Sequence, residues 1–95
     1  MNMQAMMAQA QKLQKDIMAK KEEINNKEFS EKNDLVEIVV MGNKKIKKIT
    51  INKSAADDLE TLEDMILIAY NKALEKVEKE TEKTLGAYGS LNGLI

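Results

Sequence analysis

The sequence predicts an α+β subunit of α-β-β-β-α order, with a three-stranded antiparallel sheet flanked by two long helices. Three observations predict it. An apolar seam at heptad spacing runs through the first quarter of the chain, three short segments rich in β-branched residues follow, and a second helical period fills most of the remainder. Ninety-five residues make one domain near the lower size limit for a self-sufficient core. We place that domain at residues 1–86 and expect 87–95, "AYGSLNGLI" with its glycines, to be a flexible C-terminal tail.

The first helix is expected over residues 2–26. Met3, Met6, Ala10, Leu13, Ile17 and Ile24 recur at steps of three and four, with Lys20 in the one gap and no Gly or Pro between them. Lysine at that seam position implies that the seam loosens or meets something polar there. The strands are expected in "KEFSEKN", "LVEIVVMG" and "KKIKKITIN", joined by turns at Asn33-Asp34 and Gly42-Asn43. In the middle strand Val36, Ile38 and Val40 point one way, and Leu35, Val39 and Met41 the other. The last helix should run from Ser54 to about Leu85, with Ser54, Asp57 and Asp58 as candidate caps and Gly86 closing its end. Its stripe is Leu59, Leu62, Ile66, Ala69, Ala73 and Val77, and "MILIAY" is apolar all the way round.

These features point to self-association. Helices of such lengths span roughly 38 and 42 Å, whereas a compact domain of this size is about 32 Å across, so the helix ends project beyond the sheet. A sheet apolar on both faces and a helix segment apolar all round need more cover than one chain supplies. We expect an obligate homodimer with Val36, Ile38, Val40, Ile49 and Ile51 of the sheet, and Ile66, Ile68 and Tyr70 of the last helix, at its interface.

Composition removes most chemistry. Histidine and cysteine are absent, which leaves no common general base, no catalytic triad and no zinc site. No glycine-rich phosphate loop opens a helix. Ser30, Ser54 and Ser90 lack a setting that suggests a Ser–Lys nucleophile. The acids Asp57, Asp58, Glu60, Glu63 and Asp64 read as a helix N-terminus in its favoured charge. We expect no enzyme, no cofactor and no metal. No apolar run reaches the roughly 18 residues of a membrane span, and the N-terminus lacks signal-peptide form, so a cytoplasmic location is expected.

What remains is lysine. The net charge is −1, but residues 1–53 carry 11 lysines against 7 acids (+4) and residues 54–95 carry 4 against 9 (−5). With no arginine in the chain, bidentate readout of guanine is unavailable. Two basic features stand out. In "GNKKIKKITIN" strict alternation places Lys45 and Lys47 with Ile49 and Ile51, and Lys44, Ile46 and Lys48 on the other face. Lysines divided that way suit protection of a sheet edge better than one flat phosphate patch. On the last helix Lys72, Lys76, Lys79 and Lys83 fall within about 60° of one another, beside an acidic stripe of Glu75, Glu78 and Glu82. Such paired stripes commonly do no more than solubilise a helix.

The order "MQAMMAQAQKLQKDI", "LVEIVVMGNKKIKKITIN", "LEDMILIAYNKALEKVEKETEKTLG" resembles the YbaB/EbfC family of bacterial nucleoid-associated proteins over roughly residues 1–86. The resemblance implies a tweezer-shaped homodimer that binds duplex DNA with little sequence preference, in chromosome organisation or gene regulation. It makes Lys12, Lys15, Lys72, Lys76, Lys79 and Lys83 phosphate contacts on the arms, with Lys44, Lys45, Lys47 and Lys48 in the family's basic third strand. This chain has "KND" where a Gly-rich turn is usual, and Asn52-Lys53 where Asp-Pro is usual. The alternative reading is a protein–protein adaptor that contacts recombination or repair proteins through the Met-rich first helix and the tail.

Overall fold

The computed structural model describes residues 2–86 and 88. Helix α1 (Met3–Asn25) leads to strands β1 (Glu28–Lys32), β2 (Val36–Met41) and β3 (Ile46–Ile51), then to a short 3-10 turn (Lys53–Asp57) and helix α2 (Leu59–Leu85). The sheet is antiparallel in the order β1-β2-β3. The expected tail, residues 87–95, lies outside the described residues except for residue 88.

Each boundary has a local cause. Asn2 caps α1 by accepting the Gln4 N–H at 2.9 Å. Asn33 Oδ1 accepts the N–H groups of Leu35 and Val36, and its amide donates to the Met65 carbonyl at 3.0 Å, which ties the β1–β2 turn to α2. Ser54 does not cap the last helix. It sits in the 3-10 turn capped by Asn52, and α2 starts five residues later at Leu59, capped by Asp58. Asp58 accepts from the Thr61 hydroxyl at 2.6 Å and from its N–H at 3.0 Å, and the hydroxyl bond is the main reason its carboxyl lies below the usual range. A depressed carboxyl favours the folded state above its unfolded pKa, and that help is lost as pH falls through the folded value.

The β2–β3 hairpin departs from the two-residue turn expected at Gly42-Asn43. Lys44 N–H bonds the Met41 carbonyl and Met41 N–H bonds the Lys45 carbonyl, both at 2.8 Å, with Lys44 at φ 73°. This is a three-residue loop whose last position is left-handed, where glycine is the usual occupant. A lysine there carries strain, so Lys44→Gly should stabilise the fold by about 1 kcal/mol in chemical denaturation. An unchanged midpoint would show the strain is absent.

A bulge follows. Val40 pairs with Ile46 but Val39 pairs with Lys48, so Lys47 is an extra residue on β3. Opposed residues share a face. Ile46, Ile49 and Ile51 therefore stand with Val40, Ile38 and Val36 on the inner face. Lys48 stands opposite Val39 on the outer face, Lys45 opposes Met41 there, and Lys47 pairs with Glu28, whose own partner is Met41. The strict alternation that divided the lysines between two faces is thus corrected by one inserted residue.

The core lies between the inner face and α2. Val36, Ile38, Val40 and Phe29 are buried against Ala69, Ala73 and Val77, with Leu62, Met65, Ile66 and Tyr70 around them. Alanines at 69 and 73 let the helix axis approach the strands. Helix α2 covers β1 and β2 and leaves β3 exposed along its whole length. The C-terminal half of α1 runs antiparallel to the end of α2, burying Ile17 and Ile24. The hairpin meets the end of α1 at Gly42, whose N–H donates to the carbonyl of Lys27, in the α1–β1 connection, at 2.9 Å. In the N-terminal half of α1 Met3, Met6 and Met7 are exposed. The molecule measures 70 × 19 × 14 Å, so the helix ends project as their lengths require.

Candidate nucleic-acid interface

The paired ends of α1 and α2 form an arm, and its lysines are placed by helical geometry. Relative to the buried line Ala69–Ala73–Val77, the stripe Lys72, Lys76, Lys79, Lys83 turns about a quarter of the circle away, toward the β1 edge. All four are exposed. Lys76 is held in place: its ammonium donates to the Ser30 carbonyl at 2.6 Å and pairs with Glu31 at 2.9 Å. Lys72, Lys79 and Lys83 make no ion pair among the described residues.

Two lysines of the α1 end join this side of the arm. Lys20 and Lys27 line a shallow depression with Glu23, Ile24, Glu80 and Thr84. Lys27 pairs with Glu80 at 3.1 Å, and that hydrogen bond is the first cause of the lowered Glu80 carboxyl. Lys20 was visible in the sequence as the break in the apolar seam, and its polar neighbours are the ones that break implied. Lys27 carried no such signal, because its place beside the stripe depends on the antiparallel packing of α1 and α2.

Lys12 and Lys15 lie elsewhere. On α1 they sit on the side away from Ile17 and Ile24, and Lys15 lines a separate depression with Met18, Ala19 and Glu22. The chain by itself does not bring them to the α2 stripe. Lys44 borders a groove of about 420 Å³ floored by Ile24, Val77 and Leu85, on the opposite side of the arm from Lys20 and Lys27. Lys45, Lys47 and Lys48 occupy the outer face of the sheet.

The expected interface residues divide in the same way. Val36, Ile38 and Val40 have at most 2% of their surface exposed and spend their apolar area inside the subunit. Ile49 and Ile51 remain 42% and 46% exposed, next to an equally exposed Ile46. On α2, Ile68 is exposed, Ile66 and Tyr70 are half-buried, and the Tyr70 hydroxyl donates to the Lys44 carbonyl at 3.2 Å. Leu59 and Leu67 are exposed as well. The sheet edge is lined with exposed isoleucine, and α2 carries uncovered leucines of its own.

The site offers charge and no reactive group. Among the described residues no cluster of acids could hold a metal ion, and no helix is long and apolar enough to cross a membrane. What the lysines can do is bind anions as point charges, without reading bases.

Comparison with known proteins agrees with this inventory. The crystal structure of the uncharacterized protein HP0035 from Helicobacter pylori shares the fold, with a TM-score of 0.74 over 96% of this chain and 98% of that one at 16% identity. A nucleoid-associated protein of Lactococcus lactis is 47% identical over 92 residues, 93% of both chains. One from Enterococcus faecalis is 43% identical over 91 residues, 92% of this chain and 88% of that one. A Streptococcus pneumoniae nucleoid-associated protein is 46% identical over 93% of each. The family model described as the YbaB/EbfC DNA-binding family matches residues 1–91. With its sheet, its two long helices and its lysine-lined arm accounted for, the chain belongs to the YbaB/EbfC DNA-binding family, which is a family of nucleoid-associated DNA-binding proteins and not of enzymes.

Proposed function

We propose that the protein is a bacterial nucleoid-associated homodimer that grips duplex DNA through phosphate contacts from its arms, with little sequence preference, and so serves chromosome organisation or gene regulation. The observation that carries the DNA contact is the stripe Lys72, Lys79 and Lys83, exposed and unpaired among the described residues, with Lys20 and Lys27 beside it. Pairing of two copies through Ile46, Ile49 and Ile51 doubles the stripe. Lysines acting alone on phosphate make binding weak at physiological salt and strongly salt-dependent.

The test is a titration of mixed-sequence duplex at several salt concentrations, for the wild type and for Lys72→Glu/Lys79→Glu/Lys83→Glu. Lys76 is spared because it anchors α2 to β1. The variant should bind at least about tenfold more weakly at 50 mM salt, and log K should fall less steeply by about 0.9 per phosphate contact removed. Equal affinity and slope in the two proteins would exclude the arm as the grip. An adaptor role toward recombination or repair proteins would instead follow from a dimer without DNA affinity that still binds such a partner through the Met-rich α1.

A further inference from the structure

We propose that the outer face of the sheet is a second phosphate-contact surface, so that one molecule holds two DNA segments at once. The proposal rests on the DNA-binding reading above and extends it to a surface the arm does not share.

The bulge at Lys47 is the first observation. Without it, alternation would send Lys45 and Lys47 to the isoleucine side; with it, Lys45, Lys47 and Lys48 all stand on the outer face. Lys32, opposite Glu37, lies on that face too. Four lysines there face only Glu28 and Glu37 as acids, which makes the patch net positive in a chain of net charge −1. Protection of a sheet edge needs no such concentration: a lysine serves that purpose on either face. Lys45 and Lys48 are exposed and make no ion pair among the described residues.

The second observation is direction. Lys76 of the arm reaches Glu31, and Lys47 of the bulge reaches Glu28. Glu31 opposes Ile38 on the inner face, whereas Glu28 opposes Met41 on the outer face. The two ion pairs therefore mark opposite sides of the same strand. A duplex lying along the α2 stripe, toward the β1 edge, leaves the outer face about a quarter turn away and open to another. Lysine ammonium groups around a half-buried centre of Val39 and Met41 suit a phosphate backbone and read no base edge.

A bridging measurement tests this. One duplex is fixed to beads, a second labelled duplex is free, and wild type is compared with Lys45→Glu/Lys48→Glu. The wild type should recover the labelled duplex. The variant should keep its affinity for the bead-bound duplex within about threefold, with an unchanged melting temperature, yet recover less than about a tenth of the label. Equal recovery by both proteins overturns the proposal. So does a loss of bead-duplex affinity as large as the loss of label, because the outer face would then be part of the first grip. A wild type that binds the bead duplex but recovers no label overturns bridging alone, while one that binds neither duplex overturns the DNA-binding reading with it.

Discussion

Gly42→Ala should destabilise the protein by about 3 kcal/mol, the upper range for forcing extra atoms into a packed site, and lower its melting temperature by roughly 10–20 °C. A Cβ at position 42 would lie 1.8 Å from the Ile24 carbonyl oxygen and 2.5 Å from its carbonyl carbon. Both are backbone atoms of the last turn of α1, so no side-chain rotation relieves the clash. The glycine is not needed for a left-handed turn, since no described glycine has positive φ. It is needed because the hairpin backbone touches the helix end. To accept the methyl group, α1 must swing away and release the bond from Gly42 N–H to the Lys27 carbonyl. Gly86→Ala is the control: nothing lies within 4 Å of a Cβ there, and the residue is already helical at φ −59°. That change should leave the melting temperature within a few degrees. If Gly42→Ala melted like the control, the close approach of hairpin and helix would be wrong.

If the proposed homodimer pairs through the β3 edge, Ile49→Lys/Ile51→Lys should convert it into monomers. The two side chains are nearly half exposed on an edge strand open along its whole length, and they continue the inner face that α2 covers over β1 and β2. An exposed edge strand of this kind is a template for pairing with another chain. Two buried lysines per subunit would cost too much desolvation for the contact to survive. Sedimentation should therefore show half the wild-type mass, with secondary structure retained because neither residue is in the core. Loss of the second arm should weaken duplex binding by about 10²-fold, the usual order for removing one of two linked contacts. A variant that still sediments as a dimer would move the interface elsewhere, and one that becomes monomeric with full DNA affinity would show that a single arm suffices.

Much of the fold was legible because its signals are local. The heptad steps of α1, the cap at Asp58 and the turn residue Asn33 act within a few positions of themselves. Where the reading slipped, a neighbour overrode a local preference. Ser54 is a good cap by type, but Asn52 closes a 3-10 turn around it and passes the capping role to Asp58. Val36, Ile38 and Val40 were indistinguishable by pattern from an exposed apolar face until α2 was seen to cover two strands of three. Lys12 and Lys15 matched the arm lysines in type, yet the rotation of α1 turns them away from the α2 stripe and brings Lys20 and Lys27 to it.

The sequence by itself determined the order of elements, the absence of histidine and cysteine chemistry, the lysine stripe of α2 and the family. Each of these follows from residue identity and spacing along one chain. Only the tertiary structure decided which lysines act together. The faces of a strand depend on register, and one extra residue at Lys47 exchanges them, so "KIKKITI" divides into an isoleucine row inside and a lysine row outside instead of scattering both. No periodicity in the segment announces that insertion. It arises because β3 must keep Ile46, Ile49 and Ile51 opposite Val40, Ile38 and Val36, and strict alternation cannot do so across an odd spacing of three.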